Sequence, residues 1–201
     1  NPCDVEAIEN IAQKHGLKVI YDAAHAIGST WQEDSILRWG DINAISLHAT
    51  KLLNTGEGGA CTTSSEHLAK RLERIRLFGH NDNKDIVEDG FNGKLTEVHA
   101  ALGLANFKYY DEVLLDRKCK YELYKENLTG MSKIRFQVFK HGESNYSYFS
   151  IILDSENLLL NVEKELNSYN IFPRRYFYPS VNMLNNVVEY SACPVSEDLS
   201  K

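Results

Sequence analysis

Three short apolar runs, each closing on polar or charged residues and separated by helical spacing, constrain this chain more than any other feature. Leu17–Tyr21 reads as a strand that stops at Asp22. Ile42–Leu47 reads as a second, ending just before His48-Ala49-Thr50-Lys51, and Gly59–Ser65 as a third. Ahead of the first, Val5, Ile8, Ile11 and Ala12 recur at helical spacing behind Asp4, a good N-cap, with Gly16 placed to end the helix. After the third, Leu68, Leu72 and Ile75 share one face of a helix expected over Ser65–Phe78, stopped by Gly79. Strands alternating with helices predict an α/β layer structure.

Gly79–Leu95 is polar and glycine-marked, a length of loop that compact domains usually keep for function. A single long helical pattern is expected from Thr96 onward. The composition then changes, which puts a domain boundary near Tyr109: residues 1–108 form one domain and 109–201 a second, α+β domain. In the second, "IRFQVFK" and "YSYFSIILD" suggest a hairpin, "ENLLLNVEKELNSYN" an amphipathic helix and "IFPRRYFYPS" an extended aromatic segment. The chain opens on a helix start without methionine, and Ser196 reads as the cap of a helix barely begun. A piece of a longer protein is the expectation.

Lys51 lies in "SLHATKLLNTGEGG", between a strand end and a glycine-rich turn. Glycine beside lysine suggests phosphate, but the P-loop order fails because Lys51 follows Thr50 and precedes Leu52. The dinucleotide fingerprint fails too, since Gly56 and Gly58 are followed by Cys61. In open α/β sheets, ligands meet the carboxyl ends of strands, so Asp22 and Lys51 are expected at one crevice. Taken alone, the pair reads more simply as a salt bridge. Its neighbours favour chemistry: small residues in "DAAHA", the Ser46 hydroxyl, and glycines that permit close backbone approach. Together these parts suit pyridoxal phosphate. A lysine amine condenses with its aldehyde, and a carboxylate paired with the pyridinium nitrogen keeps the ring an electron sink. A shielded contact of that kind is worth about 4 kcal/mol, roughly three pKa units.

Other classes fit less well. The formal net charge of -6 gives no reason to expect nucleic acid or an acidic membrane surface. No apolar run approaches a membrane span. Four scattered cysteines, without a Cys-x-x-Cys pair, read as buried or idle thiols of a reducing cytoplasm. His25, His48 and His80 have no metal-binding spacing, so no metal is expected. The remaining histidines read as surface or capping groups, and the charges of Glu66–Arg76 as a solvated helix face.

Three ordered stretches, "VIYDAAHAIGS", "GDINAISLHATKLLNTGEGGACTTS" and "GFNGKLTEVHAALGLANF", resemble the DegT/DnrJ/EryC1/StrS family, and the resemblance covers nearly the whole chain. It implies a fold-type I, pyridoxal phosphate-dependent aminotransferase acting on nucleotide-linked keto sugars, with the chain holding the C-terminal part of the large domain and most of the small one. By the same resemblance, Lys51 is the cofactor-bearing catalytic lysine and Asp22 the pyridinium partner. His25 stands near the ring hydroxyl, Ser46 binds phosphate, and Asn92 reaches the cofactor phosphate of a neighbouring subunit, which implies a homodimer. Tyr176 and Tyr178 are substrate candidates, with aromatic packing as the plainer reading. An amino acid donor, glutamate by family analogy, and a dTDP-linked 4-keto-6-deoxyhexose or its 3-keto isomer are the implied substrates, for cell-surface glycan synthesis. The family's phosphate-binding turn and stacking aromatic belong to an upstream half absent before Asn1, so weak cofactor binding is expected of this chain by itself. Lysine at position 51 argues against the family's pyridoxamine-dependent dehydratases, which carry histidine there. A non-catalytic module on the same fold is the alternative from another class.

Overall fold

A computed structural model describes residues 1–201. The chain forms two compact units, one of residues 1–126 with 138–149 and one of residues 127–137 with 150–201.

In the first unit, helix α1 (Val5–His15) begins where Asp4 Oδ1 accepts the Ala7 N–H at 3.0 Å and ends at Gly16, whose φ of 64° only glycine adopts without strain. Strand β1 (Ile20–Asp22) follows. It starts three residues later than the apolar run suggests, because Asp41 holds the entry: its Oδ2 accepts Val19 N–H, and its own N–H donates to Val19 O, both at 2.9 Å. A two-residue ribbon, β2 (Thr30–Trp31) and β3 (Asp34–Ser35), turns tightly with Gln32 at φ 53°. Then β4 (Ile42–Ser46) pairs parallel with β1, and β5 (Gly59–Thr62) pairs antiparallel with β4, giving the order β1-β4-β5. The parallel pair sets Asp22 opposite Ala44, so both strands deliver their carboxyl ends to the same edge.

Val5, Trp31 and Ile36 form the core beneath this sheet, with Tyr21, Ala26, Leu37 and Trp39 packed against them. Asn43 lies buried in β4, and its amide donates to the carbonyls of Leu37 and Trp39, both at 3.0 Å. That satisfies a group which would otherwise be costly to bury.

Helix α2 (Glu66–Arg76) is capped by Ser65 and ends two residues before the expected Phe78. The 79–95 loop carries no regular element beyond isolated bridges at Leu77–Asn92 and His80–Ile86. Glu88 fastens it to α2 through Arg71 and Arg74, each at 2.8 Å. The long helix expected from Thr96 is two helices: α3 (Glu97–Phe107) and α4 (Tyr110–Leu128), interrupted at Lys108–Tyr109. No helix is long and apolar enough to cross a membrane.

Residues 138–149 pack along the first unit. Lys118 pairs with Glu143 at 2.9 Å, Arg117 Nη1 donates to Ser147 O, and Tyr121 meets the rings of Tyr146 and Phe149 edge-on at 5.3 and 5.0 Å. Aromatic pairs of this geometry are worth about 1 kcal/mol each beyond their burial.

In the second unit, β6 (Ile134–Phe136) pairs antiparallel with β7 (Ile151–Leu153), but the expected hairpin is cut to these three residues a side, because residues 138–149 form no strand and belong to the first unit. Helix α5 (Glu156–Ser168) starts from a Ser155 cap. The last helix, α6 (Pro194–Leu199), begins earlier than expected. Pro194 takes its first turn, where a missing N–H costs nothing, so Ser196 lies inside the helix rather than capping it. Arg175 ties this end together, bonding Glu156 at 2.8 Å and the carbonyls of Ser200 and Lys201. All four cysteines are free and exposed, so of the two readings, buried or idle, the buried one does not hold.

Candidate active site

Lys51 is carried by the excursion between β4 and β5. Thr55 is its internal fastening: buried, with its hydroxyl on the carbonyls of Leu47 and Glu57 and its N–H on Leu47 O. Ala49 N–H closes onto Gly56 O at 2.6 Å, and Gly56 supplies the φ of 77° the turn requires. From α3, Asn106 donates to Asn54 O at 3.0 Å. Thus the loop is held at its base and from the side, and Lys51 extends from a fixed support.

Its amine sits 3.0 Å from His25 Nε2. Burial, and secondly the Lys51 charge, hold His25 below its ordinary value of 6.5, while Asp22 pulls the other way. With a bare Nε2, His25 can accept from the Lys51 amine. Asp22 and Lys51 make no ion pair, so the simpler salt-bridge reading does not hold. Asp22 Oδ1 instead accepts Ala24 N–H at 3.1 Å, and no cation lies within ion-pair distance of the carboxylate. Ser46 Oγ accepts His48 N–H at 3.3 Å, which leaves its hydroxyl proton free for an anion.

His25, Ser46 and Lys51 line one cavity together with Ala24, Asn145 and Tyr148. Asp22, at the end of β1, is not among the lining residues, but its charge acts on His25. Asn92, of the same unit, is not among the lining residues. Asn92 pairs with Leu77 beyond α2. Tyr176 lies in the second unit, its ring 4.1 Å from Phe177 in a cleft beside α6. Tyr178, in the same unit, lies beneath the Arg175 guanidinium at 3.4 Å from its ring centre. His48 is bound up locally, with Nδ1 on Thr50 and Nε2 3.7 Å from Glu57.

Sequence reasoning missed Asn145 and Tyr148, because "NYSYFS" reads as part of a strand. An asparagine inside an aromatic run was the available signal, since burying it demands partners.

The chain belongs to the DegT/DnrJ/EryC1/StrS aminotransferase family, whose model matches residues 1–201. Among individual relatives, it is 43% identical to the dTDP-4-amino-4,6-dideoxy-D-glucose transaminase of Shigella dysenteriae over 90% of this chain and 50% of that one. It is 29% identical to the GDP-perosamine synthase of Vibrio cholerae, over 98% of this chain and 56% of the other. Among solved structures, DesI in the presence of its TDP-sugar product superposes with a TM-score of 0.87 at 28% identity, covering 99% of this chain and 52% of DesI. The chain spans about half the length of these relatives.

Proposed function

We propose that the protein is a pyridoxal phosphate-dependent aminotransferase that moves an amino group from an amino acid, glutamate by family analogy, onto a nucleotide-linked keto-deoxy sugar. The observation that carries this reading is the Lys51 amine, 3.0 Å from His25 Nε2, in a cavity that Ser46 also lines, with the Asp22 carboxylate free of any ion pair at the end of β1.

The donor set fits the cofactor. Lys51 offers a primary amine to an aldehyde, Ser46 a hydroxyl to a phosphate, and Asp22 a carboxylate not already neutralised by another cation. Ala24 lines the cavity with no more than a methyl group. When bound, the cofactor supplies an electron sink for the substrate's carbon–nitrogen chemistry. Asp22 would hold a proton on the ring nitrogen, and Ser46 would anchor the phosphate. Lys51 would be the nucleophile towards the aldehyde and would then move a proton as general base and acid. His25 Nε2, 3.0 Å away, would hold its amine in place.

The relative at 43% identity, named for a dTDP-linked amino sugar, supports a dTDP-4-keto-6-deoxyhexose or its 3-keto isomer as acceptor, for glycan biosynthesis. A homodimer is part of the same reading, with Asn92 reaching the second subunit's site. Apolar residues left exposed around that loop and on α3, Ile86 at 73% and Val98 at 78%, support a covering partner. Tyr176 and Tyr178 remain the substrate candidates.

The test is an assay of the intact protein with pyridoxal phosphate, glutamate and dTDP- or GDP-linked 4-keto-6-deoxyhexoses. Amination of the sugar, read by mass, is expected with the dTDP compound. No amination of either sugar refutes the proposal.

A further inference from the structure

Residues 138–149 follow the connection between β1 and β2, the segment that carries His25. Asn1 Nδ2 donates to Val138 O at 3.1 Å, and the His141 ring lies 4.5 Å from that of Trp31. Thr30 N–H donates to Glu143 O at 3.0 Å, and Glu143 N–H to Thr30 Oγ1 at 2.8 Å. Two residues further on, Asn145 turns inward and is only 6% exposed.

Its amide nitrogen donates to His25 O and Ile27 O, both at 2.7 Å, and its Oδ1 accepts Ser147 N–H at 3.2 Å. Both amide protons are thereby used. The turn itself bonds through other carbonyls, Ala23 O to Ala26 N–H and Ala26 O to Ser29 N–H. Those of His25 and Ile27 are left for Asn145. Tyr148 then sets its ring 5.3 Å from the His25 ring. On another side of the turn, the buried Tyr110 hydroxyl packs on Gly28, which has a φ of 84° and could not carry a Cβ without overlapping that hydroxyl. The turn is gripped at His25, Ile27 and Gly28.

We propose that Asn145 is a positioning residue of the site: by holding the carbonyls on either side of Ala26 it aims the His25 ring, and with it the Lys51 amine. This rests on reading Lys51 as the cofactor-bearing lysine and adds a residue to that reading. Asparagine suits the task because it presents two donors from one atom to two carbonyls. Aspartate has the same shape and no donor, so it would face those carbonyls with repulsion.

The test uses the intact protein, cofactor-free and labelled at histidine, with Asn145→Ala, Asn145→Asp and a core control, Val5→Ala. The His25 ring resonances of both Asn145 variants are expected to move towards those of a freely rotating histidine, while Val5→Ala keeps them. Loaded with cofactor, the Asn145 variants are expected to lose roughly a hundredfold in kcat, as a misaimed group does, with KM changed by less than about threefold. Unchanged His25 resonances in both Asn145 variants overturn the proposal, as does an equal shift in Val5→Ala. If neither variant folds, the unsubstituted protein decides it. Slow solvent exchange of the Asn145 amide protons supports the clamp, and exchange as fast as an exposed amide overturns it. Since the ring signals are read without cofactor, they separate this proposal from the assignment of Lys51: a His25 response without a cofactor link at Lys51 supports the clamp alone.

Discussion

The Lys51 amine lies 3.0 Å from His25 Nε2, so the amine that carries the proposed chemistry sits beside a ring whose protonation burial disfavours. Two loops that leave parallel strands meet in that contact. The groups bearing on the ring are Lys51, Asp22, the Asn1 amine and Tyr148. The histidine is held below 6.5, mainly by burial, so between that ordinary value and the lowered one the unfolded chain binds more protons. Its contribution to stability is therefore complete above pH 6.5 and falls away as pH drops towards the folded value. His25→Gln should flatten that part of the stability profile and slow cofactor attachment to Lys51 near neutral pH by roughly tenfold or more. Urea titrations across pH 5 to 8, on the order of one unit either side of the ordinary value, check the first. Absorbance stopped-flow checks the second.

Asp22→Asn should separate chemistry from folding. The carboxylate makes one hydrogen bond, to Ala24 N–H, which the asparagine oxygen can also accept, so stability should change by less than about 1 kcal/mol. Turnover should fall roughly a thousandfold, because a neutral amide cannot hold the ring nitrogen's proton. Steady-state rates beside thermal melts give both numbers.

Glu88 joins the 79–95 loop to α2 through two arginines, which hold its carboxyl below the ordinary carboxylate value. The stabilising contribution is present above that ordinary value and lost as pH falls through the lower folded one. Glu88→Gln should loosen the loop that carries Asn92. Faster proteolytic cutting between residues 81 and 90, with the helices intact, is the expected result.

Val5 is 1% exposed and packs against Trp31 and Ile36. Val5→Ala should cost about 2 kcal/mol, a fall in Tm of roughly 4–8 °C for a chain of this size, measured by calorimetry.

Much of this arrangement is legible in the sequence because local chemistry dictates it. Asp4, Gly16 and Ser65 mark helix ends by satisfying orphan backbone groups, and the structure keeps all three. Asp22 and Lys51 are visible because they interrupt apolar runs at strand ends. What the sequence hides depends on long-range partners. Asp41 delays β1 by capturing Val19 from 22 residues away. Asn145 reaches back 120 residues to His25, a distance over which no periodicity carries information. Pro194 moved the last helix start because its ring favours the first turn more strongly than Ser196 favours a cap.

The most direct test is to find where the cofactor attaches. The intact protein is mixed with pyridoxal phosphate, reduced with borohydride and digested, and its peptides are weighed. A phosphopyridoxyl group on the peptide holding Lys51, absent after Lys51→Ala, is the predicted result. A label on a different lysine, or on none, contradicts the account.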